Sequence, residues 1–317
     1  MPERLIVWII QVSVTGGFSI IVFGVLSWIF RKKYRAGSRK KGWILIAVCL
    51  LFPLNMNILP SVQTVEIPAF YMTDYKGSMP VGNNAPGVMQ DINGSVQGIQ
   101  GMENKVPDMP ENGAVVLDNF PTGRVLFIIW SVGVMFLTAY YVTAYRRMYR
   151  KVKRWSHDCK DSVLLKMASD IGVEIGLKIM PQIRIMESSS NGPFTMGVLK
   201  VNVCVPQSVS SEKELYYVLK HELIHCREKD ILWKFLFLAV NVVHWFNPLV
   251  WLMRRLAGND IEQACDEDVL KDVSMSGYRE YSNVILAWAE HSRQNPLSVG
   301  YVAGTVFLKW RLSNIYE

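Results

Sequence analysis

The chain has 317 residues, half of them hydrophobic, with a formal net charge of +7 and five cysteines. Apolar residues this abundant, and bunched rather than spread, exclude a disordered chain and point to segments buried in lipid. The positive charge does not mark a nucleic-acid partner, since much of it sits beside the apolar runs, where it sets orientation and meets anionic lipid. Cys49, Cys159, Cys204, Cys226 and Cys265 are scattered and imply no disulfide framework, which suits a reducing compartment.

Leu5 to Phe30 is almost uninterrupted apolar sequence with no internal charge, and about 43–62 and 125–145 are two more runs of spanning length. The first run is too long for a signal-peptide core and is followed by no small-residue cleavage site. Three transmembrane helices are predicted, at about 5–30, 43–62 and 125–145. Arg31, Lys32, Lys33, Arg35, Arg39, Lys40 and Lys41 crowd the first connection, and Arg146, Arg147, Arg150, Lys151, Lys153 and Arg154 follow the third run. The intervening stretch 63–123 carries two lysines against seven acidic residues and is rich in Gly, Asn, Pro and Met, so it reads as a flexible outer loop. Positive flanks stay inside. The N-terminus is therefore placed outside, and residues 146–317 form a cytoplasmic domain behind a membrane region of residues 1–145.

Within that domain a short helix is predicted from Ser162 to Gly172, followed by β-prone runs at 182–187, 195–199 and 201–205. Such a sheet offers an edge to an extended peptide, or is purely structural. Ser211 and Glu214 form a capping box that opens a helix of about 17 residues. His221-Glu222-Leu223-Ile224-His225 lies in its middle turns. Residues four apart share a helix face, so His221 and His225 can present two imidazoles to one metal, with Glu222 beside them as general base. A catalytic zinc takes three protein ligands and keeps a place for water, and Glu262 is the candidate third.

Residues 235–253 carry no charge, yet a membrane crossing there would separate His221 and His225 from Glu262. A bent helical hairpin, broken near Asn247-Pro248, is expected instead, packing in the domain or dipping into the membrane and returning. His244 within it reads as a packing histidine, with a role in stabilising the reaction's oxyanion as the alternative. Glu262 and Asp266 share one face of the next helix, which places Asp266 to accept a ring N–H from a zinc histidine and orient it. Glu262, Asp266, Glu267 and Asp268 alone would also fit a solvated acidic face. Cys265 reads as a small buried residue, with a thiolate ligand as the alternative, and Cys226 as pointing away from the histidines. A last helix is expected at 278–291.

Asn191-Gly192-Pro193-Phe194-Thr195-Met196-Gly197, the His221–His225 motif, Asn247-Pro248-Leu249-Val250-Trp251 and Asn259 to Glu267, in that order, resemble the BlaR/MecR family of bacterial membrane metallopeptidases. The three preceding apolar runs match that family's layout. The resemblance implies a multi-pass α-helical membrane protein with a cytoplasmic α+β, gluzincin-like zinc peptidase domain, in which His221, His225 and Glu262 hold Zn2+ and Glu222 is the base. It also implies a signalling role, since similar proteins sense β-lactams outside the cell and relieve a repressor by proteolysis inside.

The function read from the sequence is a membrane-embedded zinc metalloendopeptidase for regulatory proteolysis of a cytoplasmic protein, a repressor among the candidates, or of itself. A bilayer is the other partner, and no direct contact with nucleic acid is expected. Two rival functions use the same residues: a receptor that relays conformation without proteolysis, and a quality-control protease for membrane proteins.

Overall fold

Residues 2–52, 122–187, 192–198, 200–209, 211–293, 309, 311–313 and 315 are described in a computed structural model. The expected outer loop lies outside them, apart from Thr122 and Gly123. Residues Met1–Asn55 and Pro121–Glu317 make up one unit, which holds every described residue.

The apolar N-terminal run forms α1, Pro2–Ile29, and the next forms α2, Ala36–Leu51. The second predicted span can be followed only to Phe52. The third run forms α3, Thr122–Trp155. Among the described residues two helices, Arg4–Ile29 and Gly123–Trp155, are long and apolar enough to cross a membrane. The basic segment 146–154, which follows the third predicted span, continues α3 without a break. Arg, Lys and Met are good helix formers, and the last turns gain a further reason to stay helical by packing Met148 and Val152 against Met186, Met196 and Cys204.

Strand β1, Ser156–Asp158, follows at once and was not expected, since three polar residues give no alternation to read. Helix α4, Ser162–Glu174, is capped by Asp161, whose carboxylate accepts from the backbone N–H of Val163 and Leu164. Then come β2, Gln182–Met186; β3, Phe194–Met196; and β4, Asn202–Pro206, close to the predicted runs. The sheet order is β1-β2-β4-β3, with β2 and β4 parallel and the outer pairs antiparallel. Among the described residues β3 is thus an edge.

Helix α5, Glu212–Arg227, starts where the capping box predicted, with the Ser211 hydroxyl accepting from the Glu214 N–H at 3.1 Å. Its buried Val218, Leu219 and Leu223 pack on Val203 and Val205 of the sheet and on Leu164, Ala168 and Ile171 of α4. Lys229, at φ 55° in the left-handed region, turns the chain sharply into α6, Asp230–Val243. Helix α7, Pro248–Val269, follows the break expected at Asn247-Pro248. The Asn247 side chain caps Leu249 N–H and donates to the Ser13 carbonyl and hydroxyl on α1, which fixes the hairpin tip.

The hairpin packs its Phe237, Val240, Val250, Met253, Ala257 and Ile261 against Ile20 of α1 and Trp43, Ala47 and Leu50 of α2. His244 is buried there and its Nε2 meets the Leu50 carbonyl at 3.2 Å, the packing role read from the sequence. Helix α8, Met275–Arg293, closes the far side of α5 and α7 through Tyr281 and Ile285.

Gly197, at φ 99°, ends β3, and a Cβ there would stand 2.1 Å from the Lys200 carbonyl oxygen. Backbone cannot yield as a side chain does. Gly197→Ala is expected to destabilise the protein by about 1–3 kcal/mol, seen as a lower unfolding midpoint in denaturant, because strain at φ > 0 adds to the overlap.

Candidate metal centre

Helix α5 puts His221 and His225 one turn apart, with their Nε2 atoms 3.1 Å from each other. Each ring is held through its other nitrogen. His225 Nδ1 meets Asp230 Oδ2 at 2.7 Å, a contact made possible by the left-handed turn at Lys229 that folds Asp230 back over the end of α5. His221 Nδ1 lies 2.8 Å from the Tyr281 hydroxyl, which donates to Asp266 Oδ1 at 2.6 Å. With its hydrogen given to Asp266, the phenol can only accept from His221, so Nδ1 carries the ring proton. Asp230 imposes the same tautomer on His225. Two unprotonated Nε2 lone pairs then face each other, an arrangement that a shared cation would relieve.

Glu262, on α7, lies beside the pair, its carboxylate oxygens 3.7 Å from His221 Nε2 and 3.8 Å from His225 Nε2. Donors about 2.0–2.2 Å from one zinc in tetrahedral array lie about 3.4 Å apart, so this set could close on a metal with small adjustments. Cys265 Sγ also falls near the histidines, within 4.8 Å of their ring nitrogens. Its nearest ring atom, at 3.3 Å, is the His221 Nδ1 already engaged by Tyr281, and its thiol donates to the His221 carbonyl. Burial and the neighbouring Asp266 and Glu262 carboxylates push that thiol well above its usual range.

Two cations attend Glu262. Lys234 of α6 is 3.1 Å from Oε1, and Arg311 lies 3.8 Å from Oε2. Burial works against ionisation of Glu262, but Lys234, His225 and Arg311 outweigh it and hold the carboxyl well below the ordinary range. For His225, burial opposes protonation, yet Glu262 and Asp230 raise its pKa above the usual value. A positive charge is favoured at this point of the molecule, whether proton or metal.

Glu222 is buried beside the pair and its Oε2 accepts a 2.6 Å hydrogen bond from the Thr195 hydroxyl of β3. Cys226, four residues on, approaches that same hydroxyl at 4.0 Å. Asp266 sits 3.6 Å from His221 Nδ1, too far for the direct hydrogen bond expected from its spacing. It reaches the ring through Tyr281 and is itself clamped by Arg311, whose Nε and a terminal nitrogen donate to its two oxygens at 2.8 and 2.6 Å.

Sequence reasoning brought forward His221, Glu222, His225, Glu262 and Asp266, and the fold collects all five at one place. It passed over Asp230, Tyr281, Thr195, Lys234 and Arg311. Asp230 carried a signal, a carboxylate five residues beyond the motif at the foot of the next helix. Tyr281 and Arg311 carried none, being 60 and 45 residues from their partners.

Residues 7–315 match the family described as BlaR1 peptidase M56. The chain belongs to this family. Among curated relatives, the regulatory protein BlaR1 of Bacillus licheniformis is 38% identical over 96 residues, 30% of this chain and 16% of that protein. The methicillin resistance mecR1 protein of Staphylococcus aureus is 24% identical over 253 residues, 78% of this chain and 40% of that protein. The regulatory protein BlaR1 of the same species is 22% identical over 262 residues, 75% and 41%. The chain thus spans at most about two fifths of the relatives it matches. The family resemblance read from the motifs holds.

Removing the phenol that links His221 to Asp266 tests the arrangement. Tyr281→Phe is expected to weaken zinc binding about 10–100-fold in a chelator competition, since loss of a group orienting a metal histidine typically costs that much. An unchanged dissociation constant would show that Tyr281 does not hold the ring.

Proposed function

We propose that this protein is a membrane-embedded zinc metalloendopeptidase that cuts a protein on the cytoplasmic side, a repressor or the chain itself, as part of a regulatory response. The observation that carries the reading is the facing pair of histidine Nε2 atoms, 3.1 Å apart, with both Nδ1 hydrogens committed elsewhere. A structural zinc site would more often be closed by thiolates, whereas His221, His225 and Glu262 leave room for a water. The chemistry that a bound zinc ion supplies in such a site is Lewis acidity, which eases deprotonation of water and polarises a carbonyl.

The chain's own groups do the rest. Among the described residues β3 pairs only with β4, so its outer edge offers main-chain hydrogen bonds to an extended peptide lying against α5. Thr195, in the middle of β3, holds the Glu222 carboxylate at the level of that peptide. Glu222 takes the proton of the attacking water and delivers it to the leaving amine nitrogen. Asp230 fixes the His225 ring, and Asp266, through Tyr281, fixes the His221 ring.

The membrane reading is supported by α1 and α3 and by the exposed apolar surface of α3, where Ile128, Val132, Met135 and Phe136 are each more than half exposed. Residues 1–145 supply the membrane region in this reading and 146–317 the peptidase, with α3 continuing from one into the other. The basic segments 31–41 and 146–154 set the N-terminus outside and the peptidase inside. The regulatory role is supported by relatives named for regulation and for methicillin resistance.

Glu222→Gln is expected to keep zinc content and thermal unfolding while abolishing cleavage of a co-expressed repressor, because an amide cannot accept the water proton. A folded, zinc-loaded variant that cleaves as fast as wild type would remove Glu222 from the mechanism. A wild type that signals but cleaves nothing would favour the relay. Orientation is checked by cysteine labelling: positions between Gly77 and Gly101 should react from outside the cell and position 210 only after permeabilisation.

A further inference from the structure

Lys40 and Arg39 of α2 belong to a basic run whose charge, by sequence, only sets topology or meets lipid. Both are buried instead, each 4% exposed. Lys40 Nζ donates to Asp230 Oδ1 at 3.1 Å and to Glu228 Oε2 at 3.0 Å. The other oxygen of Asp230 is the one that holds His225 Nδ1 at 2.7 Å. One carboxylate thus joins a lysine of α2 to a histidine of the metal centre. One residue earlier, Arg39 donates through Nε to Asp260 Oδ1 at 2.9 Å and through Nη2 to Gln263 Oε1 at 2.7 Å, on either side of Glu262. Trp43 Nε1 donates to the second Asp260 oxygen at 2.8 Å.

A lysine has a long stem and can reach water or headgroups from most positions near a membrane surface. Holding Lys40 inside costs its hydration, and that cost is met only while Asp230 and Glu228 face it. The lysine also defines which way Asp230 points. With Oδ1 tied to Nζ, Oδ2 can lie only toward His225, so the ring angle depends on where α2 stands. A solvent-open cavity of about 230 Å³, lined in part by Ser38, Lys40, Lys41, Asp230, Glu267 and Asp268, lies beside the first turn of α2.

We propose that Lys40 is a positioning residue for the metal centre: it acts through Asp230 on His225, so that the placement of α2 sets how tightly the site holds zinc. This rests on the metal reading above. It gives α2 a direct line to a ligand, one that needs no contact with substrate.

The test is zinc affinity of the full chain in detergent, by competition with a chromophoric chelator, with thermal unfolding of the metal-free protein as the check on folding. Lys40→Gln and Lys40→Met are both read, so that one folded variant suffices. Each is expected to weaken zinc binding about tenfold, the lower end for residues that orient a ligand. Lys40→Arg should stay nearer wild type, and Lys41→Gln, at an exposed neighbour, should not differ from it. In an Asp230→Ala background, Lys40→Gln should cost nothing further. If Lys40 acted only as a nearby positive charge, its removal would tighten zinc binding, which is the opposite sign. Unchanged or tighter binding in the Lys40 variants, or an equal loss with and without Asp230, would overturn the proposal. A wild type that binds no zinc would instead overturn the metal reading and this inference with it.

Discussion

Two imidazoles on one helix face point their bare nitrogens at each other, and most of the domain can be understood as what keeps them there. Left free, the rings would rotate. Asp230 and Tyr281 hold them by taking the hydrogen on the far side of each ring. Both come from outside α5, so the arrangement is a property of the packed unit, not of the helix that bears the motif. The sharp turn at Lys229 exists in a conformation unfavourable to a side chain by about 1–2 kcal/mol, and it delivers Asp230 to His225.

Charge follows from the same constraint. Glu262, Asp230, Asp266 and Glu222 are gathered within a small volume, which would be costly without compensation. Lys40, Lys234 and Arg311 supply it from three different elements. Arg227 does likewise at the foot of α5, where it pairs with Glu228 and Asp268. The candidate site is thus the middle of an ion-pair network that reaches α2 on one side and Arg311 on the other.

The elements that carried a periodic or capping signal were legible: α1, α4, the start of α5, three of the four strands and the break at Asn247-Pro248. The five residues drawn to the site could be read because ligand chemistry fixes their spacing on helices. What escaped was set by contacts between distant parts of the chain. Strand β1 is three polar residues that become a strand only by pairing with β2. Arg39 and Lys40 read as surface charges because nothing local says that Asp260 and Asp230 will meet them. Asp266 was placed on the right face, but the phenol standing between it and His221 comes from α8, which no spacing rule could supply.

Helix α3 runs for 34 residues, about 51 Å at a rise of 1.5 Å per residue. A hydrocarbon core of about 30 Å uses some 20 of them. The remaining turns project as a stiff post, and their Met148 and Val152 are cemented into the underside of the sheet. In a bilayer such a post would act as a ruler. Under the proposed function it would fix the height at which the edge of β3 stands above the lipid, so that the depth at which α3 is seated would become a geometric filter on which extended segments could be reached.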